Sequence, residues 1–489
     1  MTMKKHIKIY IVLIILFSPF YSCDVLDLEP ISTLTEANFY KTSEDLDRAV
    51  LGVYSRYQSR KPRDWALFEM PTDHLYMSSY RFIGGLEALN NLDFHPQNDI
   101  LRNFWQASYN GIFRANSVLA NLENPEDYSG NEKSQYEGEA RFMRALFYFD
   151  LVRVFGGVPR VTSVLTVDET KNVPRSTEAE IYNLIKEDLL AAIDLLPAYD
   201  EIAKGRASNS AAMALLGKVY VYTEEWEQAN SMLDRVIAQD FELVENYGNL
   251  WKEEFEDNSE MIFVMKYVAN DNGHILSRDF LPYFGVEGYS QSAGGEVALP
   301  AWSAIKVFED EDSRKDATFT LYWHSPGSNE EESWRPYVSK FIAQNASSSG
   351  LDLPVIRYAD VLLLKAEASY RLGNLDEALS ALNQVRSRAF GGNSHNYTEA
   401  DIADPEDFLD VLLLERQLEF AYENERWMDL VRTDRMIPVM SVVEWSYNPI
   451  TGEAQMVELN PQQHHKLFPI PQHEIDQSDP GVIEQNPGY

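Results

Sequence analysis

Two segments of the 489-residue chain repeat a pattern of two helices joined by a tight turn. Residues 211–238 read AAMALLGKVYVYTEEWEQANSMLDRVIA, and residues 358–388 read YADVLLLKAEASYRLGNLDEALSALNQVRSR. In both segments, apolar residues recur at helical spacing on either side of a short break, and Gly373 supplies the turn of the second. Because a helical hairpin cannot bury its apolar face alone, the pattern favours a fold in which hairpins stack on one another.

The large and small residues of these hairpins are similar to those of tetratricopeptide units, and Gly217 and Ala229 would let two helices approach closely. Long irregular insertions at 60–100 and 270–350 separate the repeats, and such loops on a rigid frame usually carry binding sites. The sequence therefore predicts an all-α dominated fold, in which tetratricopeptide-like helical hairpins form a scaffold with long irregular binding loops. Weaker hairpin-like segments lie at 43–59, 104–121, 133–155 and 177–196.

The amino terminus has the layout of a secretory signal peptide. Three lysines precede an apolar run from Ile9 to Phe17, which is too short for a bilayer-spanning helix of about 20 residues. The only cysteine of the chain, Cys23, follows this segment and cannot form an intrachain disulfide. The arrangement resembles a bacterial lipoprotein signal, although Phe20 and Tyr21 replace the usual leucine and small residue. We therefore expect residues 1–22 to be a lipoprotein signal peptide and Cys23 to be the lipidated first residue, a role that fits this position better than a buried thiol.

Acidic residues outnumber basic residues by 77 to 42, which gives a net charge of −35. This balance argues against binding to nucleic acid and favours neutral or cationic ligands. After the leader, no other stretch approaches 18 consecutive apolar residues, so a lipid anchor is the only membrane attachment that the sequence predicts.

Five segments carry a more specific pattern, and in their order along the chain they read NFYKTSEDLDRAVLGVY (38–54), EARFMRALFYFDLVRVFGGVP (139–159), PVIRYADVLLLKAEA (354–368), ERQLEFAYENERWMDLVR (415–432) and LFPIPQHEIDQSDPGVIEQNPGY (467–489). Together they resemble the SusD/RagB family of outer-membrane nutrient-binding lipoproteins of the Bacteroidetes. The resemblance runs from Cys23 to Tyr489.

The resemblance implies a surface-exposed lipoprotein of the outer membrane, anchored by lipid at Cys23. It implies capture of an oligosaccharide and delivery to a cognate TonB-dependent transporter of the SusC type. It also implies two halves, residues 23–250 and 251–489, packed together as one globular unit. Because some family members resemble peptide capturers, a peptide-capturing nutrient-uptake lipoprotein is an alternative.

The sequence lacks the metal-binding, nucleotide-binding and serine-hydrolase motifs that would indicate common enzymes, and we predict neither a cofactor nor a metal. The enzymatic alternative is a surface glycosidase, since carboxylates are plentiful. A glycosidase, however, needs two carboxyl groups that face each other across a sugar, whereas sequence-adjacent acids typically form a solvated face. We therefore predict a protein with no catalytic residues.

Two of the family-like segments have structural interpretations. Arg416, Glu419, Arg426 and Asp429 flank Phe420 and Trp427, a pattern that favours a clamp between neighbouring helices over an active site. Four prolines in residues 467–489 predict a tail that runs extended over the surface.

Both insertions are rich in side chains that recognise sugars. Aromatic faces cover the C–H face of a pyranose, and Arg, Asn and Asp reach its hydroxyls. We expect Trp65 and Trp302 to lie in the core, Trp302 because it belongs to the apolar-periodic LPAWSAIKVF. Polar or glycine neighbours mark the candidate ligand-binding residues, which are Tyr76, Tyr80, Arg81, Tyr289, Trp323 and Trp334.

Overall fold

The computed structural model describes residues 39–79, 83–289, 294–327 and 331–489. The predicted signal peptide, the predicted lipidation site Cys23 and the candidates Tyr80 and Arg81 lie outside these residues.

The described chain is mainly helical, which confirms the predicted fold class. The helices are α1 (Ser43–Arg60), α2 (Trp65–Phe68), α3 (Gly84–Asn90), α4 (Asp99–Ala120), α5 (Glu132–Phe155), α6 (Val167–Thr170), α7 (Glu178–Leu195), α8 (Asn209–Tyr222), α9 (Trp226–Ile237), α10 (Leu276–Phe280), α11 (Trp302–Ile305), α12 (Ser313–Thr318), α13 (Tyr358–Arg371), α14 (Leu375–Phe390), α15 (Pro405–Glu419), α16 (Arg426–Arg432), α17 (Met436–Met440) and α18 (Gln472–Gln477).

The two hairpins predicted from the repeat are α8–α9 and α13–α14, and α9 packs against α13. A Cβ atom at Gly217 would lie 2.6 Å from the side chain of Leu233, so only glycine allows this spacing, as predicted. Helices α4, α5 and α7 continue the stack on the far side of α8. One core cluster therefore contains buried residues from both sides of residue 250.

Short polar segments start the scaffold helices. Thr42 caps α1 and Thr177 caps α7, each in a capping box with an acidic residue three positions later. Helix α5 is buried on nearly all sides and occupies the centre of the amino-terminal stack.

The insertions fold into short strands rather than remaining irregular throughout. In the described residues the strands form four antiparallel pairs, β1–β3, β2–β6, β4–β5 and β7–β8. Their bounds are β1 Leu75–Met77, β2 Met261–Met265, β3 Ala298–Pro300, β4 Phe319–Trp323, β5 Ser333–Val338, β6 Leu353–Arg357, β7 Val442–Asn448 and β8 Glu453–Glu458. Strand β3 lies against β5, and α11 packs against β7, so three of the pairs meet in one region.

The predicted clamp is confirmed at α15 and α16. The carboxylate of Glu419 accepts hydrogen bonds from Arg388 at 2.6 Å, Arg357 at 2.9 Å and Arg314 at 3.2 Å. All four side chains are buried. We call the set the buried clamp, and its members are Arg314, Arg357, Asp360, Arg388, Arg416, Glu419 and Asp429.

A second part of the buried clamp centres on Arg416. Its Nη1 donates to Asp360 at 2.8 Å on α13, and its Nε donates to Asp429 at 2.7 Å on α16. The buried clamp therefore joins α15 to the second hairpin and to α16.

The carboxyl-terminal tail differs from the prediction of an extended surface segment. Phe468 and Ile470 are fully buried, and the Phe468 amide donates to the Val154 carbonyl at the end of α5 at 2.8 Å. Residues 472–477 form α18, because the prolines flank that segment and do not interrupt it.

Candidate functional site

Six aromatic side chains form a cluster where β1, α11, the β4–β5 pair and β7 meet. The exposed fraction of Tyr322 is 49%, and the other five side chains are partly buried. We call this cluster the aromatic platform, and its members are Tyr76, Trp302, Tyr322, Trp334, Trp445 and Tyr447.

Ring contacts link the members in two groups, one of four rings and one of two. Trp302 stacks on Tyr447 with centroids 4.1 Å apart and an interplanar angle of 9°. Trp334 contacts Trp302, Tyr322 and Tyr447 edge to face at 6.0, 5.3 and 5.8 Å. Tyr76 stacks on Trp445 at 6.1 Å, and Trp445 shares strand β7 with Tyr447. The stacking therefore connects segments that are far apart in the sequence.

Strand geometry explains why Tyr322 and Trp334 meet. The two residues are directly opposed in the antiparallel β4–β5 pair, so their side chains lie on the same face of the sheet. Trp323, the next residue along β4, points to the opposite face.

Strand β7 is fixed to the body by contacts with the region of α11. The Glu444 amide donates to Ser303 Oγ at 2.8 Å, and Lys306 Nζ lies 2.7 Å from Glu444 Oε1. These contacts set the position of Trp445 and Tyr447 relative to Trp302.

Hydrogen bonds from residues at and just before the start of α16 hold the segment that leads into β1. Arg426 donates two hydrogen bonds to Asp73 at 2.9 and 2.8 Å, and both side chains are buried. The Asn424 amide donates to Glu69 at 2.6 Å, and the Tyr422 hydroxyl donates to the His74 carbonyl at 3.2 Å. The connection between α15 and α16 therefore supports the strand that carries Tyr76.

One ion pair lies beside the platform. Arg335 Nη2 lies 2.7 Å and 2.6 Å from the two carboxylate oxygens of Glu296, whose residue is 1% exposed. Burial and the nearby Glu296 carboxylate raise the pKa of Tyr76 to about 12, so this phenol is neutral at physiological pH.

The arrangement can bind a flat, partly apolar ligand. Partly exposed aromatic rings in mutual contact offer C–H stacking surfaces, and the hydroxyl of the exposed Tyr322 can form hydrogen bonds. Among the described residues, no group of three His, Cys, Asp or Glu side chains could hold a metal ion.

The structure brings two of the predicted site residues, Tyr76 and Trp334, into the platform. Tyr289 is 39% exposed, but among the described rings it has no contact with the platform. The expectation that Trp323 lies at the surface is wrong. Trp323 is 8% exposed, its indole N–H donates to the Gly285 carbonyl at 2.8 Å, and it packs with Leu281 and Tyr337.

Four members of the platform are not among the residues that the sequence predicts to bind a ligand. Trp302 was expected in the core, whereas the structure leaves it partly buried at the first position of α11. Tyr322 was not selected from its insertion, and Trp445 and Tyr447 lie outside both insertions. The period-2 pattern of Val443, Trp445 and Tyr447 before a turn is the signal that predicts this hairpin.

An open groove with a volume of about 910 Å³ lies elsewhere on the described part of the chain. It is lined by α14 residues such as Asn383 and by residues 241–245, and it contains no platform residue. Size alone does not make it the better candidate, because its lining offers only two aromatic side chains, Phe241 and Tyr358.

None of the helices in the described part of the chain combines the length and apolar character needed to cross a bilayer.

Comparison with protein families gives two matches. A family model described as "Starch-binding associating with outer membrane" matches residues 24–221. A second, described as "SusD family", matches residues 301–489.

Individual proteins agree with these matches. The SusD-like protein P38 of Formosa agariphila is 30% identical, and the alignment covers 92% of this chain and 94% of the relative. A crystal structure of a SusD-like protein from Bacteroides fragilis has a TM-score of 0.79 at 24% identity, covering 92% of this chain and 98% of that one. A structure titled "Laminarin binding SusD-like protein" has a TM-score of 0.77 at 25% identity, covering 92% and 100%.

Proposed function

Because the chain belongs to the SusD family, we propose that it is a nonenzymatic binding protein that captures a glycan at the aromatic platform. The observation that carries this proposal is the set of mutually contacting, partly exposed rings on several short elements. Stacked sugars contribute on the order of 1 kcal/mol each, so several rings are needed for useful affinity. The platform supplies rings enough for more than one sugar unit.

The names of similar proteins support a carbohydrate ligand. One family model is described as starch-binding, and one structural relative is titled as laminarin-binding. We therefore choose starch and laminarin as the first probes.

Affinity gel electrophoresis tests glycan capture. The mature chain with Cys23→Ala is run in gels that contain laminarin or starch, together with a Trp302→Ala/Trp334→Ala variant. We expect at least one glycan to retard the parent chain and the double variant to lose most of that retardation, because both substitutions remove ring surface from the platform.

The matched control is Phe113→Ala, which removes an aromatic side chain of 45% exposure from α4, a helix that carries no platform residue. The control should migrate like the parent chain. If a broad panel of glycans fails to retard the parent while peptides bind, the protein captures peptides and the carbohydrate proposal is wrong.

The proposal that the protein has no catalytic activity is tested with the same ligand. The protein and the retained glycan are incubated together, and the size of the glycan is measured by chromatography before and after. We expect no shortening, because Glu296 and Glu444, two carboxylates near the platform, are already engaged in ion pairs. Shortened products would identify a glycosidase instead.

We further propose that Cys23 carries the lipid anchor and that the captured glycan passes to a TonB-dependent outer-membrane transporter. The family description, which includes association with the outer membrane, supports this location. Membrane fractionation should find Cys23→Ala in the soluble fraction and Phe113→Ala in the outer membrane. Tagged protein should co-purify with a transporter of the SusC type, and loss of that co-purification with an intact anchor would contradict the delivery step.

The division into halves at residues 23–250 and 251–489 stays a prediction.

A further inference from the structure

The ionic groups around the aromatic platform are unevenly distributed. Strands β1, β3, β4, β5, β7 and β8 and helix α11 carry one basic residue, Arg335, but three acidic residues. Lys306 directly follows α11. These two cations are therefore the ones that the platform-bearing elements offer to a ligand within the described residues.

Arg335 is already neutralised. Both carboxylate oxygens of Glu296 lie within 2.7 Å of its Nη2, and Glu296 also accepts the Tyr283 amide at 2.7 Å. The Glu296 side chain is 2% exposed, so it cannot turn towards solvent if a ligand takes its partner. An anionic ligand on Arg335 would leave a buried carboxylate without its counter-ion, which strongly disfavours the exchange.

Lys306 is paired with Glu444 on β7 at 2.7 Å, and because its side chain is 43% exposed, this pair is weaker than the one at Arg335 and solvent screens the lysine charge. Glu331 and Glu332 precede β5 and are exposed, which adds negative charge at the platform edge. The whole chain has a net charge of −35, so its long-range field also repels anions.

We infer that the platform selects a neutral glycan and rejects glycans that carry carboxylate or sulfate groups. This inference rests on the proposed function and concerns the chemical class of its ligand. Neutral sugars need only the ring faces and hydroxyl partners, whereas an acidic sugar needs a cation, and the two cations of the described site are already paired with its own carboxylates.

The test uses pairs of glycans that differ mainly in charge. Laminarin is compared with sulfated laminarin, and amylopectin with carboxymethyl amylopectin, by isothermal titration calorimetry on the mature chain with Cys23→Ala. In any pair whose neutral member binds, we expect that member to bind at least about tenfold more tightly. Its dissociation constant should change less than about twofold between 50 and 500 mM NaCl, because no ionic contact contributes.

A charge variant sharpens the comparison. Glu444→Gln releases Lys306 and should reduce the preference for the neutral member of the pair. Glu296→Gln should do the same through Arg335, and thermal melting shows whether this buried substitution is tolerated. Lys306→Gln, which removes the cation and leaves Glu444 in place, is the matched control and should keep or increase the preference.

The outcomes separate the two proposals. Tighter binding of the acidic member, weakened by salt, would overturn the inference on ligand class and leave glycan capture standing. Absence of binding to both neutral and acidic glycans would overturn the proposed function itself, and the inference with it.

Discussion

The buried clamp is built from charged side chains and the aromatic platform from aromatic rings, and the two regions also differ in burial and in what satisfies their side chains. In the clamp, each arginine pairs with buried carboxylates, and Arg357 and Arg416 also lie over the ring of Phe420. In the platform, the rings contact one another and remain partly open to solvent. A charged or aromatic side chain therefore indicates a ligand site only where its contacts within the protein leave part of its surface exposed to solvent.

This difference in burial and contacts also predicts separate roles for the clamp and the platform. The clamp joins elements distant in sequence, such as β6 and α15, through Arg357 and Glu419. Apart from Trp302, the platform rings lie on short strands, each of which places one buried side chain in the main core. Disruption of the clamp should therefore reduce stability, whereas disruption of the platform should reduce binding.

The largest effect is expected from Glu419→Gln. Loss of this carboxylate leaves Arg314, Arg357 and Arg388 short of negative charge in the interior, and the free energy of unfolding should fall by about 3–5 kcal/mol. Denaturant unfolding followed by circular dichroism measures the change. Glu44→Gln removes one partner of an exposed ion pair and should leave stability unchanged. Equal stability of parent and Glu419→Gln would show that the clamp contributes nothing.

Low pH should reduce the stability that the clamp provides without changing ligand binding at the platform, and this test needs no mutation. Burial alone would raise the pKa of Asp360, but Lys218 and Arg416 outweigh burial and hold that pKa below its ordinary value. Burial is likewise outweighed at Glu419 by Arg388, Arg357 and Arg314, and at Asp429 by Arg416 and Arg432.

For carboxyl groups of this kind, the stabilisation is complete above the unfolded pKa, near 4–4.5, and is lost as pH falls through the lower folded values. We expect the melting temperature to drop steeply below about pH 4. The affinity for a neutral glycan should stay nearly constant between pH 8 and pH 5, where the fold persists. A steep loss of affinity above pH 5 would show that a titrating group takes part in binding.

Single platform variants should have intermediate effects. Tyr447→Ala removes the ring that stacks on Trp302 and contacts Trp334, and it should weaken glycan binding about tenfold or more. Tyr322→Ala removes a more exposed ring with one platform contact and should weaken binding less. Calorimetric titration gives both values. The reverse order would mean that exposure, and not stacking within the platform, determines affinity.

The smallest effect is expected from Trp323→Phe. The substitution removes the hydrogen bond to the Gly285 carbonyl and should lower the free energy of unfolding by about 1 kcal/mol, with unchanged glycan affinity. Denaturant unfolding and titration are measured on the same preparation. If glycan binding is weaker while the free energy of unfolding is unchanged, Trp323 contacts the ligand.

Local spacing was sufficient to predict the scaffold. Gly217 and Gly373 mark a close helix approach and a left-handed turn, both of which depend on neighbours in the same hairpin. The clamp was predicted as a type of contact, but its partners were not, because Arg357 and Glu419 are 62 residues apart and only the tertiary fold pairs them.

The platform was predicted less completely, for reasons that are visible in particular residues. Tyr322 and Trp323 have similar sequence neighbours, and only the alternation of β4 places the first outside and the second inside. The apolar pattern around Trp302 correctly predicts that Ala304 and Ile305 are buried. Trp302, however, is the first residue of the short helix, and its side chain remains partly exposed. Trp445 and Tyr447 lie on β7, which follows both insertions in the sequence and reaches the site only in the folded chain.

The β7–β8 pair also provides a position for a label that reports ligand binding. Ile450 at its turn is 93% exposed, and the same pair of strands carries Trp445 and Tyr447. Since Cys23 is the chain's single cysteine, Ile450→Cys in a Cys23→Ala background creates one thiol for site-specific labelling. A fluorophore attached there would sit at the edge of the platform without displacing a packed side chain, so its emission could be used to follow glycan binding in real time.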